Sequence, residues 1–506
     1  MLNSDHRLHV HVIGSRGFRT SLAVGTSFAD SLLFHNYEPD GDANDQTMAF
    51  FDANGLQGRM HTMAVMDRKG VVDININYDP YTSSARRIAD RYRSLNIPYN
   101  LPAGDYLVGK AASPVRTVTV PCDRLDNLAE RPGVGIDFVA MDTQGTEYEI
   151  LTGAERCAAS TMLGFSSEVE FHEIYDGQKL FGDIAALAAR HGFMLAQLDP
   201  HPQGSFLRAP FGWRGKGFTV AGDALFLKSA DTVRAQHPDP WLGLHKLAFI
   251  SICTNMVEHA LDCLEAAAEI GPGGERPPLA YLAFLDRLLS EYRSAPRIYP
   301  VAFTDSYGQE DSFARFAADR RDRNEDKDRT AARYFAHTDR GTFEALLPDL
   351  LSLRSWPLEA LLWEQGFTAQ ADLAAGKRTA MALECALSLG LLSPPVAPLA
   401  RAGRAVGRRL ARDGSVAFCG QEALVGAARA LLDLPADRVA GNHGAAGLAD
   451  AADLETASAV VLCASGAGLV ALRRQLHRTG FKGWILAFED LLQDVCDAVR
   501  SPGETS

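Results

Sequence analysis

Short β-type apolar runs alternate with helical stretches over the first 230 residues. Leu8–Ile13, Ser31–Tyr37, Met60–Met66, Val115–Val120, Ile136–Met141, Gly164–Phe171, Phe193–Leu198 and Asp223–Leu227 read as strands. This alternation predicts an α/β domain on a mainly parallel sheet, with enough strands for seven and one extra. Helices are predicted over Thr146–Ala158, opened by Asp142 and Thr143, and over Leu180–His191, stopped by Gly192.

From about Pro238 to Ala411 the strand signal gives way to Ala- and Leu-rich helical patterns at Leu242–Ile270, Leu279–Tyr292, Phe343–Leu353 and Leu373–Leu391. The dense mixed-charge run Asp319–Arg329 inside this stretch reads as solvated. Alternation then returns with strands at Ser415–Gly420, Asp437–Asn442, Ser458–Gly466 and Gly483–Phe488 and a helix over Ala467–Thr479. That pattern predicts a small Rossmann-like α/β unit. The expected organisation is a domain over 1–230, a mainly helical region or connector over 231–411, and the small α/β domain over 412–506. Because Asp223–Leu227 closes the first sheet, the first domain is expected to be separable.

A formal net charge of −13 excludes a sequence-independent nucleic-acid binder, which needs excess Lys and Arg to displace counterions from phosphate. Eight cysteines, at 122, 157, 253, 263, 385, 419, 463 and 496, form no CxxC pair. No disulfide framework or structural zinc site is expected, and a reducing cytoplasm fits best. The amino-terminal segment lacks the pattern of a signal peptide, and no apolar run of about 18 residues predicts a membrane span.

In open α/β sheets ligands bind beyond the carboxyl ends of strands. The first strand runs into Gly14-Ser15-Arg16-Gly17, a turn that backbone and cofactor can approach closely. The second ends in Tyr37-Glu38-Pro39-Asp40, a carboxylate where ribose hydroxyls are accepted in nucleoside-binding folds. Gly14, Ser15, Gly17 and Glu38 are therefore the cofactor-binding candidates. A buried strand delivers Asp142 to its end, and period-two alternation places Glu168, Glu170 and His172 on one face of another strand. These four are the catalytic candidates, one of which could deprotonate a hydroxyl. Helix capping, pairing with Arg or simple surface exposure would explain the same residues. Carboxylate and imidazole donors could also hold a divalent metal, but no ligand spacing signature is present.

In the last hundred residues, Cys419-Gly420 and Ser465-Gly466-Ala467-Gly468 put small residues where a phosphate could approach. The readings there are a partner or homo-oligomerisation domain, or binding of a nucleotide or nucleotide-sugar. Arg401, Arg404, Arg408, Arg409 and Arg412 fall largely along one helical face, solvated or interdomain.

The stretch DFVAMDTQGTEYEILTGA, Asp137–Ala154, resembles the signature of the FkbM methyltransferase family at Asp142, Gln144, Gly145, Glu147, Leu151, Gly153 and Ala154. VIGSRG, NYEPD and VTVPCDRLDNL upstream, and SSEVEFHEIYDG and DALFLK downstream, extend the resemblance over about His9 to Lys228. It implies a Rossmann-like class I sheet and S-adenosyl-L-methionine as cofactor, with Asp142 near both cofactor and reacting centre. It also implies methylation of a hydroxyl on a sugar, glycan or glycosylated metabolite. One departure stands out: the family's acidic residue two positions before the first glycine is Val12 here, and neither His9 nor His11 supplies an equivalent charge. A chain that keeps the fold for binding or assembly is therefore the alternative.

Overall fold

The computed structural model describes residues 6–14, 26–39, 41–98, 105–208, 213, 215–274, 276–296, 340–352, 356–393, 395–443, 454, 457–464 and 466–500. The chain forms two compact units, Met1–Arg293 with Gln365–Phe367, and Ser294–Glu364 with Thr368–Ser506.

The first unit is mixed α/β around a parallel-rich sheet. Its strands are β1 (Leu8–Ile13), β2 (Leu32–Tyr37), β3 (Gly58–His61), β4 (Phe138–Met141), β5 (Gly164–Glu170), β6 (Phe193–Pro200) and β7 (Ala221–Lys228), in the order β6-β7-β5-β4-β1-β2-β3. β5, β4, β1, β2 and β3 are parallel, while β7 runs antiparallel to both β5 and β6. Every residue of β1, β2 and β4 is buried, as expected of parallel strands covered on both faces. One face carries Ile13, Tyr37, Val139, Met141 and Phe165 into a core shared with Ile150, Leu151, Ile184 and Leu187.

Seven of the eight expected strands supply this sheet. The eighth, Val115–Val120, lies within Pro114–Asp123, which pairs antiparallel with Gly70–Asn77 in a separate three-stranded sheet. Met60–Met66 divides: its first residues belong to β3, and Ala64–Val65 joins that smaller sheet. The helix expected over Thr146–Ala158 is two short ones, α1 (Glu147–Thr152) and α2 (Glu155–Ala158). The break falls at Gly153, where a Cβ would lie 2.2 Å from the Met66 carbonyl oxygen. Leu242–Ile270 likewise splits into α3 (Pro240–Cys253) and α4 (Val257–Ile270), because Asn255 turns the chain with φ +66°.

From Trp241 to Cys253 every residue of α3 is buried, so it behaves as a core helix. Lys246 Nζ meets Asp137 Oδ2 at 2.8 Å, and the Phe249 and Phe28 rings pack edge to face with centroids 5.1 Å apart. Truncation after Ala230 is therefore expected to expose this face's partners and abolish the cooperative melt of the first unit, as read by thermal denaturation. A soluble fragment 1–230 with a sharp melt would show the sheet to be complete without α3.

In the second unit, Ser415–Gly420, Val439–His443, Ala457–Cys463 and Trp484–Ala487 form a four-stranded parallel sheet. Helices Glu422–Leu432, Gly466–Arg478 and Phe488–Arg500 alternate with them. The arginine-bearing helix is Ala397–Leu410; within it Arg404 meets Asp433 at 3.6 Å and Arg409 pairs with Asp494. Asp319–Arg329 and Ser465 lie outside the described residues. All eight cysteines are buried thiols outside any disulfide. Among the described residues no helix is long and apolar enough to cross a membrane.

Candidate functional site

The carboxyl ends of β1, β2 and β4 lie side by side. Gly14 N–H donates to Tyr37 O at 3.1 Å, and Asp142 N–H donates to Ile13 O at 3.1 Å. Gly14 has φ +77°, and a Cβ there would sit 2.4 Å from Asp142 O, so both conformation and space demand glycine. Ser15, Gly17 and Asp40 lie outside the described residues.

Glu38 follows β2, buried, with its backbone carbonyl accepting from Asn44 Nδ2 at 3.1 Å. Asn36, two residues earlier and in register with Val12, is fully buried. Neither polar atom of its amide has a hydrogen-bond partner, and Asn44 Oδ1 also lacks one. Orphaned buried amides of this kind cost free energy unless something polar meets them.

Beyond β4 the chain turns through Gln144, with φ +60°, and Gly145, with φ +104°. Glu147 stabilises the turn from inside: its carboxylate accepts Thr143 N–H at 2.7 Å, the Thr143 hydroxyl at 2.8 Å and Gly145 N–H at 3.0 Å. Burial nonetheless pushes this carboxyl up from the usual range. The turn aims the Gln144 amide into the site. Its Nε2 donates to Asp142 Oδ1 at 2.9 Å and to Glu168 Oε2, while its Oε1 accepts from the Tyr175 hydroxyl. Ser84 Oγ fixes the Gln144 carbonyl at 2.7 Å. One amide thus ties together the ends of β4 and β5.

On β5, Glu168 and Glu170 share a face, as alternation predicts. Burial holds both carboxyls well above the usual carboxylate range, reinforced at Glu168 by Asp142 and Glu170, and at Glu170 by Glu147 and Asp142. Glu170 Oε2 is buried without a hydrogen-bond partner. Tyr175 is pushed up by burial and by the same carboxylates. His172 lies past the end of β5, half-buried among aromatic rings, with centroids 6.3 Å from Tyr92 and 6.2 Å from Phe218. Phe206 completes this group, 5.5 Å from Tyr92 and 6.4 Å from Phe218. Among the described residues no group of three or more His, Cys, Asp or Glu is arranged to hold a metal ion.

Residues 31–195 match the family model described as Methyltransferase FkbM domain. The N-terminal half of the chain carries an FkbM methyltransferase domain. No curated protein matches the chain. The matched segment of the FkbM domain holds Glu38, Asp142, Glu168, Glu170 and His172, whereas Gly14 precedes it.

The geometry of the FkbM domain fits a ligand that carries both hydrogen-bonding groups and positive charge. Hydroxyl or amine groups can meet the Asn36 amide and the Glu38 carboxylate, while a cation would favour the ionised forms of Glu168 and Glu170, which burial first and neighbouring carboxylates second hold neutral. The strand-end residues were visible from the strand boundaries alone. Three further residues that the fold brings beside them were not. Tyr175 and Asn36 stand at positions where alternation predicts ordinary core. His201, which follows β6, reaches back through a register visible only once β7 is seen to pair antiparallel with both its neighbours.

Proposed function

We propose that the first unit is an S-adenosyl-L-methionine-dependent O-methyltransferase, built on a Rossmann-like class I arrangement. Its acceptor in this reading is a hydroxyl of a sugar, glycan or glycosylated metabolite. The observation that carries it is the meeting of Gly14, Glu38 and Asp142 at three adjacent strand ends of an FkbM domain. Glu38 and Asn36 would hold the ribose or amino-acid portion, and Gly14 lets the ends of β1 and β4 close up on each other beside the cofactor. The cofactor supplies an electrophilic methyl on a cationic sulfur. Asp142 would face the reacting centre with negative charge, Glu168 and Glu170 would line it as carboxyls held toward their neutral forms, and positioning is the main remaining requirement for transfer. The rings of Tyr92, His172, Phe206 and Phe218 offer an apolar wall for the face of a ring-bearing acceptor. The eight buried cysteines, none in a disulfide, support a reducing cytoplasmic setting.

Calorimetric titration of the full chain with S-adenosylhomocysteine should show saturable binding. No heat and no thermal shift at millimolar ligand would overturn the reading and favour a binding or assembly module, to which the apolar Val12 already lends support. Glu38→Ala should weaken binding by about 1–3 kcal/mol, the cost of leaving buried ligand donors unpaired.

Asp142→Asn keeps shape and removes charge, so turnover should fall more than cofactor affinity, as for a group acting mainly in the transition state. Equal turnover by variant and wild type, in transfer of radiolabelled methyl, would remove Asp142 from the reacting centre.

A further inference from the structure

The antiparallel pairing of β5 with β7 sets Glu168 directly opposite Asp223. Two carboxyls facing each other across a sheet repel whenever both are ionised, unless something intervenes. His201 intervenes. Its Nε2 lies 3.0 Å from Asp223 Oδ2, and its Nδ1 lies 3.6 Å from Glu168 Oε1, beyond ordinary hydrogen-bond reach. The backbone holds the residue there, since His201 N–H donates to Ala221 O at 2.9 Å. Its side chain is 32% exposed, so a solute can reach it.

We propose that His201, oriented by Asp223, is the group that removes the proton from the acceptor hydroxyl. The proposal rests on the methyltransferase reading of the adjoining carboxylate cluster. With Nε2–H donated to Asp223, the neutral ring carries its lone pair on Nδ1, turned toward Glu168. Glu168 is joined through the Gln144 amide to Asp142. A hydroxyl bound at Nδ1 therefore adjoins the Glu168–Gln144–Asp142 chain of side chains. In the step, the acceptor O–H proton passes to Nδ1 and an oxygen lone pair forms the new O–CH3 bond. The C–S bond breaks with its electrons going to sulfur, which leaves as the neutral thioether of S-adenosylhomocysteine.

The titratable groups facing the imidazole are Asp223 on β7, Glu168 on β5 and Asp142 at the end of β4, of which Asp223 and Asp142 act on it as charges. The hydrogen bond to Asp223 is the largest influence, and it raises the imidazole above its usual range despite partial burial. Methyl transfer should accordingly rise with pH through a midpoint above the ordinary histidine value of about 6.5. Glu168 and Glu170, crowded and buried, are held toward their protonated forms and are the poorer proton acceptors.

The test uses the full chain with histidine labelled in the ring, the His201 resonance being the one absent from His201→Asn. The expected spectrum shows the Nε2–H tautomer and a titration midpoint above 6.5 that falls toward 6.5 in Asp223→Asn. An Nδ1–H tautomer, or a midpoint indifferent to Asp223→Asn, overturns the dyad. In parallel, transfer of tritiated methyl to a panel of methyl glycosides should fall about 100-fold or more in His201→Asn. S-adenosylhomocysteine binding by the same variant should stay within twofold of wild type. Full activity in His201→Asn defeats the proposal. Absence of binding or transfer by the wild type defeats the underlying reading instead, while the spectrum still decides the dyad.

Discussion

Lys246→Met should lower the stability of the first unit by about 3–5 kcal/mol, among the larger effects expected of a substitution that touches no ligand site. The lysine lies on α3 with its side chain 7% exposed, and its partner Asp137 is 5% exposed. Asp137 stands at the entry to β4 and also accepts the His9 backbone N–H at 2.8 Å. Removing the ammonium leaves a carboxylate in the interior with one neutral donor, and the desolvation cost of that charge is no longer offset. The double variant Asp137→Asn/Lys246→Met should recover much of the loss, because the amide oxygen still accepts from His9 and no charge remains. Urea unfolding followed by circular dichroism reads both. A single variant as stable as wild type would mean that water reaches Asp137.

Acidification should destabilise the same unit through a column of imidazoles beneath the sheet. His9, His11 and His35 are fully buried; the His11 and His35 rings stack at 4.5 Å, and His35 continues to His61 at 5.7 Å. Burial lowers His11 to about 3, and lowers His35 and His61 as well, each further depressed by neighbouring cations or imidazolium charge. A depressed folded-state value means that the unfolded chain binds the proton first. The stabilisation is therefore complete above about pH 6.5 and is lost as pH falls from there toward 3. At pH 5, His11 and His35 each account for about 2 kcal/mol. The raised carboxyls of Glu147, Glu168 and Glu170 act with the opposite sign, gaining stability as pH falls toward their unfolded value, and they offset part of the loss. His35→Leu isolates the imidazole share: its loss of stability between pH 7 and pH 5 should be smaller than that of wild type by about 2 kcal/mol. An identical loss in both proteins would show His35 to be protonated in the fold.

Much of the sheet was legible because buried parallel strands write themselves as short apolar runs, and β1 is apolar or histidine from end to end. The divisions were less so. Nothing in Met60–Met66 announces that the chain leaves one sheet for another between His61 and Ala64. The glycine at the break, Gly153, is required by the carbonyl of Met66, which is distant in sequence. Gly70–Asn77 alternates Val72, Ile74 and Ile76 and could have been found by period two alone. At the site, Asp142, Glu168 and Glu170 were accessible because strand ends and alternation are local properties. Gln144 stood inside a recognisable motif, yet its part as the bridge between two carboxylates needs the left-handed turn to be seen. His201 depends on an antiparallel return that no local pattern encodes.

The eight sequestered thiols divide evenly, with Cys122, Cys157, Cys253 and Cys263 in the first unit and Cys385, Cys419, Cys463 and Cys496 in the second. Burial pushes Cys419 and Cys463 up to about 12 and raises Cys157, Cys253 and Cys263 as well, so an alkylating reagent meets few thiolates in the closed fold. Each adduct then records an opening event, and its position names the unit that opened. Mass spectrometry of a timed alkylation thereby becomes two independent clocks within one chain, able to report whether a ligand slows the breathing of one unit while the other keeps its own pace.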